Sequence, residues 1–152
     1  MPGIRRAGPD DLAFLRHCAD VAYAPYVGRI GRKPAPMIAD FAAHISAGEV
    51  WLIEDTHGIP AGYIVMFHRD GAWFIENIAV LPGRHGAGLG RALMAFAETC
   101  ARDNGHMQVR LYTNAAMTGN LAFYPALGFH ETRRVREDGF DRVYFEKTLR
   151  PA

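Results

Sequence analysis

The sequence predicts a mixed α/β or α+β fold in which one sheet carries helices on both faces. Segments of helical and of strand-like hydrophobic periodicity follow in the order β-α-α-β-β-β-α-β-α-β-β, which gives about seven strands and about four helices. Two Asp-Gly pairs, Asp70–Gly71 and Asp138–Gly139, each separate two apolar runs and predict hairpins with two-residue turns. The chain of 152 residues shows no repeat and no long linker, so we expect one domain over residues 1–152.

The composition is that of an ordinary soluble globular protein, with 49% apolar and 22% charged residues. A net charge of +1 gives no indication of a nucleic-acid or membrane partner. The N-terminus lacks the pattern of a signal peptide, and no apolar run approaches the ~18 residues of a membrane span. We therefore expect a cytoplasmic protein whose two cysteines, Cys18 and Cys100, are reduced.

The N-terminal half is expected to contain a short strand, two helices and a loop between them. Residues 3–8 suit the strand, and apolar side chains at helical spacing predict the first helix over residues 9–27 (Leu12, Leu15, Ala19 and Ala22). Residues 28–36 are rich in Gly and Pro and predict a break that is the best candidate for a mobile loop. A second short helix is predicted over residues 37–48, where Gly48 ends it.

The remaining elements follow from alternation and from turn residues. The clearest helix is predicted over residues 88–105, with one apolar stripe formed by Leu89, Leu93, Phe96 and Cys100. The other segments are a strand at 50–55, a hairpin at 61–80, a strand at 107–113, a short helix at 118–128 and a closing hairpin at 129–149.

The segment VLPGRHGAGLGRAL, residues 80–93, leads from a strand into a helix without an ordinary capping side chain. Gly86, Ala87 and Gly88 stand where Ser, Thr, Asp or Asn usually satisfies the free N–H groups, so an anion is the obvious partner. A P-loop is excluded, because Leu89 and Gly90 occupy the positions of its Lys and Ser/Thr. A dinucleotide fingerprint is a weak match, since no carboxylate stands about 20 residues further on.

Two motifs together resemble the GNAT acyltransferase superfamily. The segment IAVLPGRHGAGLGRAL is similar to its cofactor motif, and NLAFYPALGF is similar to its downstream Tyr-x-x-x-Gly-Phe segment. The resemblance implies a sheet that splays at its centre, and acetyl-CoA as co-substrate with its pyrophosphate on the backbone N–H groups of residues 86–91. The cofactor-binding residues that it implies are Ile78, Ala79, Val80, Arg84, His85, Gly86, Ala87, Gly88, Leu89, Gly90, Arg91 and Asn120.

The sequence departs from the family pattern at two positions. His85 stands where the motif usually has Gln or Arg, and either His85 or the adjacent Arg84 could take over that contact; a solvent-facing His85 without a role is the alternative. Met117 stands where an Asn often precedes the Tyr by seven residues. Asn120 could instead hydrogen-bond the pantetheine arm, or it could simply be a polar residue at a helix start.

Tyr124 and Glu76 are the candidate catalytic residues. Tyr124 matches the family's general acid, and a phenol with an ordinary pKa of about 10 can protonate a thiolate; the alternative is a core aromatic. Glu76 is the candidate base, because strict alternation places this carboxylate on an apolar strand face with Phe74, Ile78 and Val80. An ion pair with an arginine, or a β-bulge that changes its face, is the alternative for Glu76.

The predicted function is direct transfer of acetyl from acetyl-CoA to a primary amine of a small molecule or peptide, without a metal and with a homodimer as one expected assembly. Five arginines in the predicted acceptor region suggest an anionic acceptor, or else a solvated basic face (Arg29, Arg32, Arg133, Arg134 and Arg136). A non-catalytic CoA-binding sensor or regulatory module of the same fold is the alternative function, and a protein-modifying acetyltransferase differs only in its acceptor.

Overall fold

A seven-stranded sheet in the order β1-β2-β3-β4-β5-β7-β6 organises the fold in a computed structural model that describes residues 3–83 and 88–151. The strands are β1 (Gly3–Arg6), β2 (Val50–Glu54), β3 (Pro60–Arg69), β4 (Ala72–Val80), β5 (Gln108–Asn114), β6 (His130–Glu137) and β7 (Phe140–Thr148). The helices are α1 (Leu12–Ile30), α2 (Phe41–Ser46), α3 (Leu89–Asp103) and α4 (Thr118–Ala126), with 3-10 turns at Pro9–Asp11 and Ala35–Ile38. The predicted element order is confirmed.

The sheet opens at its centre, between β4 and β5. These two strands are parallel and pair only over Trp73–Ile75 and Val109–Leu111, whereas the other neighbouring strands are antiparallel. Beyond this contact β4 continues along β3 to Val80, and β5 continues along β7 to Asn114. The two strands therefore diverge, which confirms the expected splayed sheet.

Helices cover both faces of the sheet, as predicted. On one face α1 and α2 bury Leu15, Cys18 and Phe41 against β2 and β3. On the other face α3 and α4 pack on β3, β4, β5 and β7. Leu89 and Leu93 of the predicted α3 stripe are buried, but Phe96 and Cys100 are only partly buried, and the rest of the buried stripe is Met94, Ala97 and Ala101.

The segment between α1 and β2 differs from its prediction. α1 continues past residue 27 to Ile30 and ends at Gly31, whose φ of +85° closes the helix and whose N–H donates to Val27 O at 2.8 Å. The predicted helix over 37–48 is a 3-10 turn followed by the six-residue α2. Asp40 separates the two, because its carboxylate accepts from the N–H of Ala43 at 3.1 Å and caps α2.

Both predicted hairpin turns are confirmed by their backbone angles. Asp70 and Gly71 have φ of +50° and +79°, and Asp138 and Gly139 have φ of +53° and +79°. Positive φ at both central residues is the signature of a type I′ turn. In the described part of the chain, no helix has the length and apolar character that crossing a bilayer requires.

Candidate active site

Two adjoining cavities lie where β4 and β5 diverge. The α3 cavity, of about 570 Å³, is bordered by the end of β4, the start of α3, and residues of α1 and α4. The splay cavity, of about 50 Å³, lies between the diverging strands and is closed by residues 34–36 and the start of β7. Four residues border both cavities: Tyr23, Ile78, Asn120 and Tyr124.

The start of α3 has a glycine where a capping side chain would stand. Gly88 occupies the N-cap position with a φ of +75° and provides no side-chain cap, and the first turn contains no acidic residue. The free N–H groups and the helix dipole make this end of α3 attractive to an anion. The predicted cofactor residues of this helix, Gly88 to Arg91, all border the α3 cavity. Arg84, His85, Gly86 and Ala87 lie outside the described residues.

The end of β4 presents backbone groups to the opening. The Tyr23 hydroxyl donates to Ile78 O at 2.6 Å, so the carbonyl of Ile78 faces the helices rather than β3. In a strand the N–H and C=O of one residue point to the same side, which places the Ile78 N–H towards the opening as well. Ile78, Ala79 and Val80 border the α3 cavity.

Tyr124 lies at the junction of the two cavities. Its side chain is 5% exposed and packs against the rings of Phe123, Phe129 and Phe145 at centroid distances of 5.3 to 5.9 Å. Burial raises the pKa of Tyr124, so the phenol remains protonated at neutral pH. Tyr124 is therefore a core aromatic that also borders both cavities, and its role as general acid stays a prediction.

Glu76 lies in a β-bulge, so the strict alternation assumed for β4 is wrong. Val65 of β3 pairs with Asn77 and the next residue, Met66, pairs with Ile75, which leaves Glu76 as the extra residue. The bulge shifts the pattern by one, and Ile78 and Val80 pack on the α3 side of the sheet with Ile75. Glu76 consequently does not share a face with Ile78 and Val80.

The bulge places Glu76 on the wall of the splay cavity. Tyr112 and Arg142 border the same cavity. Burial raises the pKa of Tyr112 to about 12, and the negative charge of Glu76 adds to this effect. A carboxylate therefore faces the space in which an amine could lie.

Asn120 is held against β5 rather than left free. Its Nδ2 donates to Thr113 Oγ1 at 3.0 Å. Met117, the departure from the family pattern, is 3% exposed and belongs to the apolar core under α1. Asn120 borders both cavities, and the amide nitrogen is engaged within the protein.

Sequence reasoning missed several polar residues of the splay cavity, among them Arg142 and Asn77. Arg142 places its guanidinium 4.3 Å from the Tyr112 ring centroid, and its Nη1 donates to Glu137 at 3.2 Å and to Asp138 at 3.0 Å. Asn77 is 4% exposed; its Oδ1 accepts from the Tyr63 hydroxyl at 2.7 Å, whereas its buried Nδ2 has no hydrogen-bond partner among the described residues. A polar residue next to Glu76 in an apolar strand was the available signal for Asn77.

The five arginines expected near the acceptor do not converge on one point. Arg134 pairs with Glu131 at 3.0 Å and Arg136 with Asp141 at 3.1 Å. The other three lie over aromatic rings: Arg29 over Tyr26, Arg32 over Phe140 and Arg133 over Tyr144. Their charges are compensated or dispersed, so the interpretation of a solvated basic face fits most of them. Among the described residues, no three His, Cys, Asp or Glu side chains form a group that could hold a metal ion.

Relatives of this chain are acetyltransferases. Mycothiol acetyltransferase of Salinispora arenicola is 33% identical over 135 residues, which cover 82% of this chain and 42% of the relative. The chain spans less than half the length of the curated relatives that it matches.

Solved structures share the fold over the whole chain. The ribosomal-protein-S18-alanine N-acetyltransferase of Escherichia coli superposes with a TM-score of 0.77 at 22% identity, covering 100% of this chain and 96% of the other. The PaiA N-acetyltransferase of Thermoplasma acidophilum, solved with coenzyme A, gives a TM-score of 0.77 at 18% identity, covering 98% and 99%. The family model described as Acetyltransferase (GNAT) domain matches residues 46–131, and the chain therefore belongs to the GNAT acetyltransferase family.

Proposed function

We propose that the chain is one acetyltransferase domain that transfers an acetyl group from acetyl-CoA directly to a primary amine. The observation that carries this proposal is the junction of the two cavities at Tyr124 and Ile78. A large cavity with an uncapped helix start suits a phosphate-bearing co-substrate, and a small cavity with a carboxylate suits an amine. Family membership supports the same assignment.

The residues of the α3 cavity fit acetyl-CoA. The N–H groups at the start of α3 suit its pyrophosphate, and the backbone of Ile78 at the cavity suits its amide-containing arm. The Thermoplasma acidophilum enzyme of the same fold was solved with coenzyme A. When bound, acetyl-CoA supplies an acetyl thioester that an amine can attack.

Three groups of this chain are our candidates for the proton and charge steps, and their positions at the cavities support this assignment. The Glu76 carboxylate can accept the amine proton, directly or through water, because a protonated amine is not nucleophilic. The Ile78 N–H can donate to the oxygen on which negative charge develops. The Tyr124 hydroxyl, kept protonated by burial, can donate its proton to the departing sulfur.

The acceptor follows from the splay cavity and from the relatives. The cavity is small, and its charged lining residues are Glu76 and Arg142, the latter neutralised by Glu137 and Asp138. Such a site accepts an amine more readily than an acid, so we propose a small-molecule or peptide amine without a neighbouring anionic group. The names of the two proteins refer to mycothiol in one case and to an alanine of ribosomal protein S18 in the other, and we carry neither acceptor over to this chain.

A thiol-release assay with acetyl-CoA and a panel of primary amines tests the proposal. We expect amine-dependent release of CoA thiol and an acceptor whose mass increases by one acetyl group. Binding of acetyl-CoA without turnover of any amine, peptide amines included, would instead favour a CoA-binding sensor of the same fold.

A further inference from the structure

The outer walls of the splay cavity come from two segments that are far apart in the chain. Pro34, Ala35 and Pro36 form one wall, directly after α1. Phe140 and Arg142, at the start of β7, form the other. The width of the cavity therefore depends on what holds these two segments together.

Arg32 connects the two walls. Its guanidinium lies 4.1 Å from the centroid of the Phe140 ring, and its Nη1 donates to Asp138 O at 3.3 Å. Arg142 approaches the same ring, with its guanidinium at 5.6 Å, and the Phe140 residue is only 5% exposed. Phe140 is thus covered by a residue that lies two positions before the opposite wall.

The glycine in the turn before β7 provides the space that the Arg32 side chain occupies. A Cβ at Gly139 would overlap Arg32 Nη1. Because Gly139 has a φ of +79°, the turn tolerates Asn better than other side chains, and the flexible end of Arg32 would have to move instead of the backbone.

We propose that Arg32 is a specificity-determining residue, which ties the segment at 34–36 to the β6–β7 turn and keeps the splay cavity narrow. The narrow cavity selects straight, slender primary amines against branched ones. This inference rests on the proposed function, since it concerns the acceptor of the same reaction.

The contacts of Arg32 favour the narrow form of the splay cavity, and they are weak enough for the two walls to separate. An exposed cation–π contact and one hydrogen bond to a surface carbonyl correspond to a change of roughly 3- to 10-fold in an equilibrium constant. Arg32→Ala should therefore lower the preference for a slender amine over a branched one by about that factor.

The experiment compares two primary amines of equal carbon count, pentan-1-amine and 2,2-dimethylpropan-1-amine, by the ratio of their kcat/KM values. We expect the ratio to fall in Arg32→Ala and to fall similarly in Gly139→Asn, which keeps Arg32 but displaces it. In the double variant the ratio should fall no further than in either single variant, since both substitutions remove the same contact. Lys33→Ala, which removes an exposed neighbouring cation, is the matched control and should leave the ratio unchanged.

Hydrogen exchange at residues 31–38 and 137–141 supplies a readout that does not depend on turnover. Both segments should exchange faster in Arg32→Ala and in Gly139→Asn. An unchanged amine ratio, additive effects in the double variant, or unchanged exchange in the two segments would overturn the inference. Absence of turnover with every amine, combined with faster exchange in both segments, would contradict the proposed function and support the tie.

Discussion

Tyr124 shows how a single side chain can serve packing and chemistry together. Three aromatic rings hold its ring in place, while its position at the cavity junction leaves it beside both proposed substrates. Burial raises its pKa, so the hydroxyl stays protonated at neutral pH. Tyr124 is therefore unsuited to deprotonate an amine, and its proposed role as a proton donor rests on its position between the two cavities.

Tyr124→Phe should preserve the fold and the affinity for acetyl-CoA and should lower kcat by roughly 10²- to 10⁴-fold if proton donation limits turnover. Steady-state kinetics and a melting curve with and without acetyl-CoA measure both properties. Tyr144→Phe, which removes a hydroxyl bonded to Glu137 away from the two cavities, is the matched control. Turnover of Tyr124→Phe equal to that of the control would show that the proton comes from another donor.

Glu76→Gln keeps the shape of the side chain and removes its basicity. We expect kcat/KM to fall at neutral pH and the loss to shrink as pH rises, because an amine with a pKa near 10 then arrives deprotonated. Affinity for acetyl-CoA should hardly change. The pH–rate profile and the melting temperature are the measurements.

Glu146→Gln is a useful comparison for Glu76→Gln, since Glu146 forms an ion pair with Arg110 at 2.6 Å between β7 and β5 and borders neither of the two cavities. A purely structural carboxylate should lower the melting temperature and leave the normalised profile unaltered. If Glu76→Gln behaves in this way, with its acidic limb intact, Glu76 is not the base.

For single residues, the sequence predicted which residues border the cavities better than it predicted which way their side chains face. The segment FIENIAV reads as regular alternation, and the bulge at Glu76 depends on the register with β3, which the segment itself does not encode. Arg142 was missed for the same reason: it faces the splay cavity because β7 pairs with β5 so that Arg142 lies opposite Asn114. The buried donor of Asn77 likewise becomes visible only once Tyr63 is seen to occupy its oxygen.

Among the elements, α3 has the clearest link between sequence and proposed binding. Its apolar stripe faces the sheet, its N-cap residue is a glycine without a side-chain cap, and its first turn has no acidic residue. A ligand phosphate would supply the missing acceptors and would be favoured by the helix dipole. The free energy of ligand binding should then appear as added stability of the folded state.

Acetyl-CoA at a hundredfold excess over its Kd should stabilise the protein by about 2.7 kcal/mol. Gly88→Asp places a negative charge at the start of α3 and should abolish the thermal shift. Gly88→Asn has the same shape and tolerates the φ of +75° comparably, so it separates charge from backbone strain and should retain most of the shift. Equal shifts in wild type and Gly88→Asp would argue against pyrophosphate binding at this helix start.

Two elements differ from their predictions, and in both the capping residues, rather than the hydrophobic periodicity, determine where the helix begins or ends. Apolar spacing suggested one helix over residues 37–48, but the Asp40 cap and the 3-10 turn before it divide the segment. α1 continued past its predicted end because Gly28 is tolerated inside a helix, whereas Gly31 adopts the left-handed conformation that ends one.

Over the whole molecule, three buried tyrosines should make the folded state less stable at alkaline pH. Burial raises the pKa of Tyr23, Tyr63 and Tyr124 above the value of about 10 expected in the unfolded chain. The folded state therefore holds these protons more tightly than the unfolded state does. Stability is fully present below pH of about 10 and is lost as pH rises from there towards the folded-state pKa values.

We expect unfolding above pH of about 10 to coincide with the ionisation of the buried tyrosines. Tyrosinate absorbance and circular dichroism, followed in one titration, should show part of the six tyrosines ionising before the loss of structure and the remainder with it. Reversible ionisation of all six with the circular dichroism unchanged would contradict the assignment.

The short contact between β4 and β5 also governs how the chain can fold. Residues 3–80 supply β1 to β4 and residues 108–148 supply β5 to β7, so every strand pair except this one forms within one continuous half. Within the described part of the sheet, three residue pairs join the halves, and the packing of α3 and the contacts of Arg32 with Asp138 and Phe140 add to them. We therefore expect each half to assemble locally and the two halves to dock late. The entropic cost of loop closure opposes mainly the contact between them. The place where the chemistry is proposed is then the last to assemble and the first to come apart.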